Sequence, residues 1–362
     1  MKRSLLSRRS RSHLSAPLLA GLCALAVFAS GCTDSGAAET GAGQTAITAS
    51  AEDNAPPILN QMEGVLDSTA FRGVRRVFQR QGNGSLEQLE DVGADGTGQF
   101  SIELSDVVTY PPDVDSHAYD ILFESSARFQ WTMRDFQVRN AAQVAGNYLV
   151  TPQSVSPTVA GISCVRIGFL RNDSVGGRPG HYEADVDPST GFVLAWREFD
   201  DVGTILAEVT YESFAYNGDV SDMTLRGRSF TVRPLSLALD LGPQVGFTTR
   251  LPDLLPGRME FTVAEIQTVP GSMAAGLSPG SASFLPVGDW LRLVATDGLE
   301  AMVFTHASRT LGVTPSAAAM GELKMYQVGT WEIGFGRLDA TAFVVAARAS
   351  MDEIRLIVGS AF

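Results

Sequence analysis

Apolar and polar residues alternate over much of the chain with the two-residue period of half-buried strands. "FRGVRRVFQRQ" (71–81) and "SLEQLEDVGADGTGQFSIELSD" (85–106) alternate in this way and are interrupted by turn residues, which predicts an antiparallel meander. The clearest run is "HYEADVDPSTGFVLAWREFDDVGTILAEVTYESF" (181–214), three strands joined by two tight turns. In its first strand Tyr182, Ala184 and Val186 share one face, and His181, Glu183, Asp185 and Asp187 share a wet one. Gly191 closes the first turn, where φ > 0 is required. In the middle strand Phe192, Leu194 and Trp196 point one way, and Val193, Ala195 and Phe199 the other. Both faces of that strand are therefore covered, either by helices and a second sheet layer or by helices and a cavity.

Helical periodicity is scarcer. After "PP" at 56–57, Ile58, Met62, Val65 and Leu66 fall on one face of a short helix. The stretch "AYDILFESSARFQW" (118–131) fits a helix up to about Arg128 and a strand through Phe129, Trp131 and Met133. Between 145 and 170, Thr151-Pro152 and Ser156-Pro157 discourage helix, so loop and strand are expected. Beyond a weakly patterned stretch with prolines at 234 and 243, five segments between 257 and 349 read as strands of a second antiparallel sheet. Ser350 with Glu353 three residues on forms a capping box that opens a terminal helix. The pattern predicts an α+β chain: an antiparallel domain at 58–222, a linker at 223–245 and a smaller antiparallel α+β domain at 246–362.

The first 57 residues belong to neither domain. Lys2, Arg3, Arg8, Arg9 and Arg11 precede an apolar run of signal-peptide length, which predicts an export signal at 1–31. "FASGC" (28–32) is similar to the lipobox of bacterial lipoproteins, with Cys32 as the lipid attachment site; Ala24-Leu25-Ala26 offers an ordinary cleavage site instead. Arg8-Arg9 hints at a twin-arginine signal, but Arg11 stands where an apolar residue is expected, which favours ordinary secretion. Residues 33–57 hold one bulky aliphatic side chain, Ile47, and form a tether that cannot build a core. Thr33 after the cysteine favours the outer over the inner membrane by the sorting rule of such lipoproteins, and Asp34 weakens that preference in some lineages.

Composition then narrows the function. Removal of residues 1–31 leaves 22 Lys+Arg against 40 Asp+Glu, a formal charge of −18, which repels nucleic acid and anionic lipid head groups. Cys164 is then the one cysteine besides Cys32, so no internal disulfide forms, and its strand-like setting predicts a small buried hydrophobe. The three remaining histidines, His117, His181 and His306, have no ligand spacing, and no G-x-S-x-G or P-loop motif occurs. Asp91, Asp95 and Gly96 match part of a calcium loop but lack its third ligand and closing Glu, and read as a hairpin turn. No enzyme, metal or cofactor is expected. The better lead is apolar: Trp131, Phe136, Phe169, Tyr182, Phe192, Trp196 and Tyr211 are candidates to line a cavity or fill a core.

The hairpin at 181–214, with Asp187, Thr190, Gly191, Leu194, Asp200 and Gly203 at matching places, resembles the periplasmic sigma-E regulatory family (RseB/MucB) and more distantly the LolA-like lipoprotein carriers. "VAG" at 159–161, "WLRLVATDGLEAMVF" (290–304) and "FVVAARASMDEIRLIVGS" (343–360) extend the likeness to nearly the whole mature chain. The resemblance implies a curved half-barrel sheet with covering helices, whose concave side holds a hydrophobic cavity, followed by a small second domain. It departs from the family at Cys32, which would tether a protein that is otherwise soluble, and at Ile162, where a basic residue is usual. The function expected is a non-enzymatic cell-envelope lipoprotein that binds a lipid or lipoprotein acyl chain. The alternative is a regulator that holds an anti-sigma factor or another envelope protein without a small ligand.

Overall fold

The computed structural model describes residues 56–81, 84–109, 135–172, 181–225, 231–247, 249–269, 288–307, 324–328, 330–338 and 341–361. The export signal, Cys32, the tether, the segment 118–131 and with it Trp131 lie outside the described residues.

Two antiparallel sheets carry the fold, as the alternation predicts. The first has eight strands in the order β3-β2-β1-β10-β9-β8-β7-β4. Three of them, β1 (Ala70–Gln81), β2 (Gly84–Asp95) and β3 (Phe100–Thr109), are the expected meander. On the other flank β4 (Tyr148–Pro152), β7 (Val165–Arg171), β8 (His181–Val186), β9 (Val193–Phe199) and β10 (Ile205–Tyr216) follow, and β10 returns to pair with β1. A two-residue pair, β5 (Thr158–Val159) with β6 (Ile162–Ser163), stands apart. The second sheet runs β11-β12-β13-β14-β17-β16-β15. Its strands are β11 (Thr231–Pro234), β12 (Glu260–Val269), β13 (Gly288–Thr296), β14 (Ala301–Ala307), β15 (Lys324–Val328), β16 (Trp331–Leu338) and β17 (Thr341–Ala347).

Helices cover one face of the first sheet. The expected helix at its start is two short pieces, α1 (Pro57–Met62) and α2 (Val65–Ser68), because Gly64 takes φ +68° between them. Leu59 and Met62 are the side chains that α1 buries. The turn at Gly191, φ +78°, lies so close to α1 that a Cβ there would stand 2.5 Å from the Gln61 backbone. A helix the pattern did not predict, α3 (Ala141–Asn147), is capped by Asn140, whose side chain accepts the Gln143 N–H at 2.8 Å. It adds Ala141 and Val144 to the core formed by Leu59, Met62, Ile167, Phe169, Tyr182 and Trp196.

The second sheet packs Leu291, Leu293, Phe304, Phe343 and Val345 against Ile354, Ile357 and Val358 of α5 (Met351–Ala361) and Leu241 of α4 (Leu241–Val245). The capping box forms, with Glu353 N–H donating to Ser350 Oγ at 3.2 Å and Ser350 N–H to Glu353 Oε2 at 2.7 Å. His306 is wholly buried there between Phe247 and Phe304, its Nε2 accepting the Arg250 N–H at 3.3 Å. Burial, and then the Arg250 charge, depress its pKa to about 4. Unfolded histidine titrates near 6.5, so this contribution to stability is complete above that pH and is lost as the pH falls through 4, by about 3 kcal/mol. Urea unfolding should show wild type losing about that much more than His306→Gln between pH 7 and pH 4; equal losses would mean the ring is protonated in the folded protein.

Candidate functional site

The middle strand of the opening hairpin does not keep the alternation its sequence predicts. Val186 pairs with Val193 and Asp185 with Ala195, so Leu194 is an extra residue in a β-bulge. The bulge shifts every later side chain by one place. Trp196 therefore joins Val193 in the core under α1 and α3, while Phe192, Leu194 and Ala195 pack into a second cluster with Phe71, Val92, Phe100 and Tyr211. The shared face expected for Phe192, Leu194 and Trp196 is thus corrected.

The aromatic candidates accordingly fall into two groups. Phe136 sits 5.2 Å from Phe169, 5.9 Å from Tyr182 and 6.4 Å from Trp196 between ring centroids. Phe192 and Tyr211 interlock with Phe71 and Phe214 at 4.8 to 6.1 Å. Where the groups meet lies a cavity of about 30 Å³, lined by Met62, Phe136, Phe192, Trp196, Tyr211 and the charged pair Arg75 and Asp135. That volume holds a water or two. It is about a tenth of the roughly 300 Å³ at which pockets for small ligands begin.

Sequence reasoning missed the charges in this interior. Arg75, 2 % exposed, donates from Nε to Glu90 at 2.9 Å and pairs with Asp135 at 3.1 Å. Gln88 donates to the other oxygen of Glu90, and Arg75 lies 5.9 Å from the Tyr211 ring centre. Burial opposes the Arg75 charge, but Asp135 and Glu90 outweigh it and hold the guanidinium ionised. Burial, against the pull of Arg75, raises the Tyr211 phenol well above its ordinary range.

A second buried cluster joins the sheets. The β13–β14 turn, Asp297 to Glu300, inserts beside α3: Gly298 C=O accepts Arg139 N–H at 2.8 Å, Asn147 donates to Asp297 C=O at 2.8 Å, and Leu299 enters the first core. Arg171 pairs with Asp297 at 2.7 Å and Glu300 at 2.9 Å. Tyr182 donates a short hydrogen bond to Glu300, and Arg348 reaches Tyr182 Oη at 3.0 Å and Glu198 at 3.1 Å. Burial and the nearby Glu300 push Asp297 up, whereas Glu300 is held low, against its burial, by Arg171 and Arg348. Tyr182 is thus a structural link between sheets as well as a core ring.

The opposite face of the first sheet is not evenly wet. Asp185 and Asp187, expected on a solvated face, are buried. Arg166 grips Asp185 at 2.6 and 2.8 Å and Arg197 approaches it at 3.4 Å, while Asp187 accepts from Ser189 and Tyr216. Arg72 likewise lies between Asp91 and Asp222, Arg76 between Glu87 and Glu212, and Arg197 between Asp185 and Glu208. At one end of this face the register aligns Leu149, Leu170, His181, Phe199 and Ile205 across five strands. Leu149 and Leu170 are 57 % and 45 % exposed, and His181 stacks on Phe199 at 4.9 Å. No run of apolar residues announced this row, since its members come from five separate strands.

Cys164 is buried, and burial lifts its thiol to about 11, which fits a packing residue. Among the described residues no group of His, Cys, Asp and Glu could hold a metal ion, and no helix is long and apolar enough to cross a membrane.

Neither a protein-family model nor a curated protein matches the chain. Among solved structures it is similar to MucB in complex with MucA(peri), at 14 % identity over 85 % of this chain and 97 % of that one, with a TM-score of 0.42. The Pseudomonas aeruginosa MucA/MucB complex matches at 14 % identity over 86 % and 97 %, TM-score 0.42. MucB alone matches at 15 % identity over 85 % and 97 %, again at 0.42. These structures carry the family name that the hairpin at 181–214 resembles.

Proposed function

We propose that this chain is a non-enzymatic protein of the cell envelope, anchored through lipid at Cys32, that holds a protein partner on its surface; an anti-sigma factor is the partner class the family resemblance suggests. One observation carries the reading. The aromatic side chains that a lipid cavity would need, Phe136, Phe169, Tyr182 and Trp196, are spent on one another, while Leu149 and Leu170 stand exposed on the other face of the same sheet. Among the described residues, apolar area is therefore on offer outside the sheet at Leu149 and Leu170, while the interior cavity holds only a water or two.

Native mass spectrometry tests this on residues 33–362, exported without Cys32 and purified without detergent. The expected spectrum is the bare polypeptide, even after incubation with lipids. Added mass of a fatty acid or phospholipid, lost on Trp196→Ala, would overturn the reading in favour of an acyl-chain carrier.

A further inference from the structure

We infer that the row Leu149, Leu170, His181, Phe199 and Ile205 is the docking surface, and that its occupant is a partner segment bearing apolar side chains beside Lys or Arg. The inference rests on the surface-binding reading above and gives the partner its chemistry. The row crosses five hydrogen-bonded strands, so its spacing is fixed before anything binds. At one end of the row Leu149 and Leu170, paired on neighbouring strands, stand exposed side by side, and adjoining exposed leucines on a rigid sheet form a patch that suits a contact.

Charge selects the occupant. On this face four arginines, Arg72, Arg76, Arg166 and Arg197, meet seven carboxylates, because each guanidinium lies between two of them. The row next to the apolar one carries Glu183, Arg197 and Glu208, and Asp200 and Asp201 follow Phe199, with Arg80 set against Asp200. Asp185 is buried and already held by Arg166 and Arg197, but Glu183 and Glu208 are partly exposed and can take further donors, since an ionised carboxylate accepts several. An anionic lipid surface is repelled by this excess, and so is a second copy of the same acidic face. A cationic, part-apolar protein segment satisfies both the leucines and the carboxylates, and long-range attraction also speeds its arrival.

The probe is a fluorescent peptide of alternating Leu and Lys, with Leu/Glu and Ser/Lys peptides as comparisons, titrated by anisotropy against the purified mature chain. The Leu/Lys peptide should bind best, and affinity should fall about tenfold in the Leu149→Ser, Leu170→Ser double variant and again on raising salt to about 1 M, where the Debye length is about 3 Å. Both leucines are exposed, so the variant keeps its core. Unchanged binding by the double variant, or equal binding of the Leu/Glu peptide, would overturn the inference.

A photo-crosslinking residue at position 170 in cells separates this failure from that of the broader reading. A protein crosslink there that the Leu/Lys peptide competes away supports the surface. Protein crosslinks from other positions but none from 170 overturn the surface and leave partner binding intact, and self-crosslinks at 170 overturn it in favour of a dimer. No protein crosslink from any position, together with bound lipid in the native spectrum, removes both.

Discussion

Replacing Arg75 by methionine is expected to destabilise the protein by about 3 to 5 kcal/mol, because it strands two buried carboxylates without their guanidinium. Glu90 is wholly buried and Asp135 is 4 % exposed, and both lie within 3.1 Å of Arg75 nitrogen atoms. Methionine fills much of the volume, so the loss reads charge rather than a void. A second substitution identifies the cause. Removing the charge of one stranded carboxylate should return part of the stability. Urea unfolding at pH 7 should therefore show Arg75→Met with Glu90→Gln recovering part of the deficit of Arg75→Met alone. A deficit below about 1 kcal/mol at pH 7 would place the ion pairs in solvent.

Gly298→Ala should cost about 4 kcal/mol, from two sources that each contribute a few kcal/mol. Gly298 has φ +107°, where side chains are strained, and a Cβ there would stand 2.6 Å from the Val144 backbone nitrogen and 3.0 Å from the Asn140 carbonyl oxygen. Neither atom can move without pulling on α3. Gly203, in the β9–β10 turn, supplies the comparison: its φ is +83°, but nothing lies within 4 Å of its Cβ position. Gly203→Ala should therefore cost only about 1 kcal/mol for its backbone. Thermal unfolding of both variants checks this, and equal losses would show that strain alone, not contact between the β13–β14 turn and α3, governs position 298.

Most of the strands were legible because alternation survives wherever one sheet face packs and the other does not. The segments 71–81, 181–186 and 341–347 needed nothing but their own residues. What failed were places where one residue changes the count. The bulge at Leu194 falls in a run that is apolar at every position from Phe192 to Trp196, so nothing in the sequence marks the change of count. Arg75 is one of four arginines in a single strand, and its burial is decided by Glu90 and Asp135, which lie 15 and 60 positions further on. Asp185 looks solvated from its own strand, yet Arg166 and Arg197 on the two neighbouring strands close over it. Of the candidate site, the aromatic residues could be named but not sorted into two groups, and the apolar row exists only once the register of five strands is known.

The Asp297–Glu300 turn also sets an order of events. Leu299 belongs to the core of the first sheet, although it follows Tyr148 by about 150 positions, and Asn147, Tyr148 and Arg171 each take a hydrogen-bond or ion-pair partner from that turn. A chain made from its amino terminus presents all eight strands of the first sheet before this keystone arrives. During that interval the core under α3 is open and Arg171 lacks its carboxylates. Loop closure over such a separation is slow relative to the local hairpins that precede it. The first sheet thus waits on the second, and during that interval its apolar surface is open to the wrong partners.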